Sequence, residues 1–86
     1  MPTISIFFGI AIRMYFGDHE PPHFHAHYGE FDAQIAIGTL EVIEGHFPRR
    51  ALALVLEWAA DHRDELRRDW ELAIQGRPLN RIPPLD

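Results

Sequence analysis

The segment Pro21-Pro22-His23-Phe24-His25-Ala26-His27-Tyr28-Gly29-Glu30 decides how the rest of the chain is read. Histidine stands at every second position between a double proline and a glycine. Alternation with period two marks a strand, with His23, His25 and His27 on one face and Phe24, Ala26 and Tyr28 on the other. The prolines forbid helix entry and hold the residues before them extended, so the strand starts near His23. Gly17-Asp18-His19-Glu20 ahead of them is a turn by composition.

Working outward, Phe31, Ala33, Ile35 and Ile37 alternate with Glu30, Asp32, Gln34 and Ala36, a second half-buried strand. A two-residue bend at Tyr28-Gly29 would set His27 against Glu30, His25 against Asp32 and His23 against Gln34. A tyrosine fits a tight primed turn badly, which keeps a longer bulged loop open. Upstream, Ile10, Ile12, Met14 and Phe16 alternate with Ala11, Arg13 and Tyr15. Thr3 to Phe8 is either a separate strand or the same strand bent at Gly9. Leu40 to Ile43 makes a short last strand.

Pro48 suits the first position of a helix, and Gly76 with Pro78 suits its end. Leu52, Val55, Ala59, His62, Leu66, Trp70 and Ala73 form its inner stripe. A straight helix of that length reaches about 40 Å, long for so small a sheet, so a break around His62 to Asp64 is anticipated. The expected fold is α+β: an antiparallel sheet of three to four strands with a long C-terminal helix, broken or not, covering one face. One domain spans 1–86, with a β-rich half (1–45), a helical segment (46–76) and an extended tail (77–86) docked through Leu79, Ile82 and Leu85.

Composition narrows the function. With no cysteine there is neither disulfide nor thiolate chemistry, which points to the cytoplasm. The apolar run Ile4 to Ile12 has no basic residues before it and is cut short by Arg13, so no membrane association is expected. Up to Phe47 one arginine faces six carboxylates, within a net charge of −5. That distribution disfavours nucleic acid as a direct high-affinity ligand.

The histidines admit two chemistries. Imidazoles at i and i+2 of a strand can share a divalent transition metal such as zinc. Three in a row span about 13 Å at strand rise, so only two can hold one ion. His23 and His25 with Asp32 across the hairpin form the expected metal set, completed by His19, His46 or His62. Alternatively, His25 oriented by Asp32 acts as a general acid–base catalyst. Against both stands a solvated polar face. Arg49 and Arg50 oppose the dipole of the helix they begin, which is either a solvated pair or the mark of a carboxylate or phosphate on a partner, with Trp70 as a core or interface anchor.

The chain resembles one family throughout. The carriers are MPTIS, DHEPPHFHAHYGE, LEVIEG, the helical PRRALALVLEW, and WELAIQGRPL followed by IPPL. They are similar to the small bacterial proteins called domain of unknown function 4160, which have no established activity. The resemblance implies a stand-alone cytoplasmic protein, often encoded beside a domain of unknown function 2442 protein in a toxin–antitoxin-like pair. It covers Asp18, His19, Pro21, Pro22, His23, Phe24 and His25, whereas His27 falls where many relatives carry arginine. The expected function is therefore a small protein-binding module, acting with that partner or as a homodimer. The alternative is a metal- or histidine-dependent phosphodiesterase or RNase on the His23/His25/Asp32 face.

Overall fold

A computed structural model describes residues 2–86. The fold is α+β, with five antiparallel strands in sequence order followed by two helices. The strands are β1 (Thr3–Phe7), β2 (Ile10–Arg13), β3 (His23–Tyr28), β4 (Phe31–Ala36) and β5 (Val42–His46); the helices are α1 (Arg49–Asp61) and α2 (Arg63–Ile74).

The sheet has five strands rather than the three to four expected, and three features account for its form: the first decides between the two readings of Thr3 to Phe8, and the other two depart from the expectation. First, Phe7 pairs with Ile10, so Phe8 and Gly9 form a two-residue turn and the first apolar run becomes two strands. Both turn residues have positive φ, 50° and 78°, the combination a type I′ hairpin needs. Glycine meets that demand freely; phenylalanine at Phe8 is strained there.

Second, the β3–β4 turn is Gly29-Glu30, not Tyr28-Gly29, because Tyr28 pairs with Phe31. Glycine at 29 supplies a φ of 59° that tyrosine would resist. The register therefore slides by two residues, setting His27 opposite Asp32 and His25 opposite Gln34. A slide by two keeps every side chain on its own face, so the alternation could not reveal it.

Third, residues 42–46 form a strand where only Leu40 to Ile43 was expected. Gly45 makes this possible. A Cβ there would sit 2.3 Å from the Asp32 carbonyl oxygen, so only glycine lets β5 close on β4.

The helical segment is interrupted at His62, whose φ of −123° leaves the helical region. A straight helix from Arg49 to Ile74 would reach about 39 Å, more than the molecule's longest extent of 33 Å. Each half then caps a different residue of β3. Trp58 of α1 packs on Phe24 with ring centroids 6.0 Å apart, and Trp70 of α2 packs on His23 at 5.3 Å. Trp58, Val55 and Ala59 lie buried with Ile12, Phe24, Ala26 and Ile35 in the core. His62, placed on the inner stripe by periodicity, lies at the helix break, where its Nδ1 contacts Glu65.

The tail runs extended and docked. The Ile82 amide donates to the Ile4 carbonyl along the outer edge of β1. Trp58 Nε1 donates to the Pro83 carbonyl at 2.8 Å, and the Asn80 amide donates to Asp69 Oδ1 at 2.9 Å. Asp69 is buried, and its Oδ2 has no hydrogen-bond partner. Burial pushes its carboxyl above the ordinary value; the Asn80 amide opposes the rise, Glu65 adds to it, and Arg68 opposes it. Among the described residues no helix is long and apolar enough to cross a membrane.

Candidate metal centre

The site is assembled at the start of β3, where the loop after β2 folds back across the strand. Asp18 lies in that loop, half-buried, beside the first two strand histidines. Its Oδ2 is 3.0 Å from His23 Nε2 and 3.1 Å from His25 Nε2. The three ligand atoms lie within 4.8 Å of one another, the one such group of three or more among the described residues.

Each ring is held from behind. His23 Nδ1 donates to the Pro21 carbonyl at 2.7 Å, which fixes a proton on Nδ1 and turns Nε2 inward. His23 is 2% exposed, and its Nε2 makes no hydrogen bond of acceptable geometry despite its closeness to Asp18. A buried imidazole nitrogen thus faces a carboxylate oxygen at 3.0 Å, a contact that a cation, either a second proton on the ring or a metal ion, makes favourable. Tyr15 meets the His25 ring edge-on at 4.3 Å. The backbone route to this contact includes a cis peptide at Glu20-Pro21.

Asp18 is prepared as an anion. Partial burial pushes its carboxyl upward, but the His25 hydrogen bond, the His19 amide and the positive fields of His23 and His25 outweigh it and hold it below its ordinary value. His19 Nδ1 reaches the other carboxylate oxygen, Oδ1, at 3.2 Å, with a ring 92% exposed.

The structure therefore keeps two of the three sequence-nominated metal residues together and leaves Asp32 apart. Asp32 Oδ1 pairs with His27 Nδ1 at 2.7 Å on the open sheet face, since the register slide moved it away from His25. The suggested catalytic pair of His25 and Asp32 is not hydrogen-bonded: His25 bonds Asp18 and Asp32 bonds His27, although both line one cleft. His46 stacks on Phe31 with ring centroids 6.2 Å apart, and His62 lies against Trp58 at 5.5 Å; neither belongs to the cluster. Trp70, nominated to bind a partner, is 4% exposed because it roofs His23, whereas Arg49 and Arg50 are exposed at the start of α1. Sequence reasoning missed Asp18 as a ligand. The signal was its spacing, an aspartate five residues ahead of His23 across a proline turn that must reverse the chain.

A cleft of about 350 Å³ opens beside His25, lined by Tyr15, Asp32, Gln34 and Glu44. His25 is thus both a wall of the cleft and a member of the cluster.

The chain matches the family described as Domain of unknown function (DUF4160) over residues 9–71. It belongs to this family. The matched region of this DUF4160 protein contains Asp18, His23, His25 and their Trp70 cover, and leaves out β1 and the docked tail. No curated protein and no solved structure matches the chain.

Proposed function

We propose that this DUF4160 protein binds one divalent first-row transition ion, zinc being the reference case, through Asp18 Oδ2, His23 Nε2 and His25 Nε2. The unpartnered, buried Nε2 of His23 beside Asp18 carries this reading. A cation relieves that contact, either a second proton on the ring or a metal ion, and the second imidazole on the same Asp18 oxygen favours the metal. Tetrahedral zinc–ligand bonds of about 2.0–2.2 Å separate neighbouring ligand atoms by roughly 3.3–3.6 Å, so the two Asp18 contacts of 3.0 and 3.1 Å need open by only a few tenths of an ångström.

Three protein ligands leave the ion with open positions, the arrangement of catalytic rather than structural sites. His25 also walls the cleft, so a substrate seated there would lie beside one ligand of the ion. An ion held this way polarises a carbonyl or lowers the pKa of a bound water, so hydrolysis is the chemistry the site supports. Asp32 and Glu44 in the cleft repel phosphate, which favours an ester or amide over a phosphodiester such as RNA.

The test is calorimetric titration of the chelator-stripped protein with zinc, alongside elemental analysis. We expect one equivalent bound, lost in His23→Ala and Asp18→Ala variants whose circular dichroism is unchanged. Wild-type protein that binds no stoichiometric metal would reduce the cluster to a histidine–aspartate ion pair and end the proposal.

A further inference from the structure

We propose that a second site, the groove between the β1–β2 turn and the first turn of α1, docks a segment of another protein in which a large apolar side chain stands beside aspartate or glutamate. The groove holds about 280 Å³ and is lined by Phe8, Ile10, Tyr28, Pro48, Arg50 and Leu54. Its floor is apolar and one rim is a guanidinium. This site is independent of the metal centre.

Three observations converge on that occupant. Phe8 occupies a left-handed turn position at φ 50° and is 58% exposed. An aromatic there costs conformational energy, and in the free chain its ring recovers little burial in return. Contact with an incoming apolar side chain would return it. Tyr28 extends the same surface, its ring 3.5 Å from where a Cβ on Gly9 would lie, and is 39% exposed.

The charge is equally one-sided. Helix α1 begins at Arg49-Arg50 with no acidic residue in its first turn and no side-chain cap on its amides. Neither arginine is in an ion pair among the described residues. The positive end of the helix dipole adds to both guanidinium charges, an arrangement a carboxylate relieves. Helix α2, by contrast, carries Asp64 and Glu65 in its own first turn and has no such need.

The experiment is fluorescence anisotropy with labelled peptides GSELFEGS and GSKLFKGS against the full chain. We expect saturable binding of the acidic peptide, at least about tenfold tighter than the basic one, which corresponds to 1.4 kcal/mol. Arg50→Glu should reverse that preference. Phe8→Gly should weaken binding about tenfold while raising the thermal midpoint, an opposition that a purely structural role would not produce. The proposal is overturned if neither peptide saturates, if both bind alike, or if Phe8→Gly leaves affinity unchanged. It is equally overturned if sedimentation shows the groove occupied by a second copy, or if anionic vesicles bind through Arg50 while the peptide does not.

Discussion

His23 and His27 lie on one strand and, by alternation, on one side of it, yet the first keeps 2% of its side-chain surface and the second 37%. Both rings have a carboxylate beside them. Asp18 beside His23 is mostly enclosed and serves two imidazoles through one oxygen, while Trp70 shelters the His23 ring. Asp32 beside His27 is 72% exposed and serves one imidazole across the hairpin. The pairings use the same residue types, and burial separates them. In water a histidine–carboxylate pair contributes little, because solvent competes for both groups. Under cover, where water cannot compete, the same pair depends on a cation for its stability.

The largest expected difference is in metal affinity. Replacing Asp18, His23 or His25 with alanine should lower zinc affinity by roughly a hundredfold or more, each removing one of three ligands. His27→Ala and Asp32→Asn should change it less than about twofold. Calorimetry on the five variants checks this. Equal losses at both ends would mean that the whole histidine face binds the ion and would erase the comparison.

Next comes the cover. Trp70→Ala should cost roughly 3–5 kcal/mol in urea unfolding, the usual range for removing a buried tryptophan. It should also weaken zinc binding in the fraction that remains folded, since His23 then faces water. A variant that loses stability but keeps full affinity would show that the ligands need no roof.

A smaller effect belongs to Asp69, one residue before that tryptophan. Its folded carboxyl titrates above the ordinary 3.8, so the folded chain holds more protons than the unfolded one over the window beginning there. Stability must then fall as pH rises from about 4 through the folded pKa. Asp69→Asn keeps the acceptor for the Asn80 amide and should flatten that fall. Urea midpoints between pH 4 and 7 measure it. An unchanged slope would mean that Oδ2 is solvated or paired.

The smallest effect is at the exposed end. His27→Ala should change unfolding free energy by less than about 1 kcal/mol, as exposed pairs do. A larger loss would make the His27–Asp32 pair part of the fold's support.

Much of the frame was readable beforehand. The period-two alternation placed Phe24, Ala26, Ala33 and Ile35 in the core, and all four are buried. The length of the helical segment anticipated the break near His62. The Phe8-Gly9 hairpin was harder to read, because propensity argues against phenylalanine at a left-handed position. Asp69 was unreadable for the opposite reason, since nothing in a helical pattern announces a buried acid that the tail will need.

Residues alone determined that three imidazoles line one side of a strand, and that at most two of them can share an ion, because strand rise is a covalent constant. Which carboxylate joins them was a tertiary decision. A register slide of two residues leaves every side chain on its own face while moving Asp32 from His25 to His27. A proline-bearing loop brings Asp18 across the vacated corner, and a helix broken at His62 lays Trp70 over it. Ligand sets form by convergence in space from separate segments, and periodicity within one segment carries no record of where the others will pack.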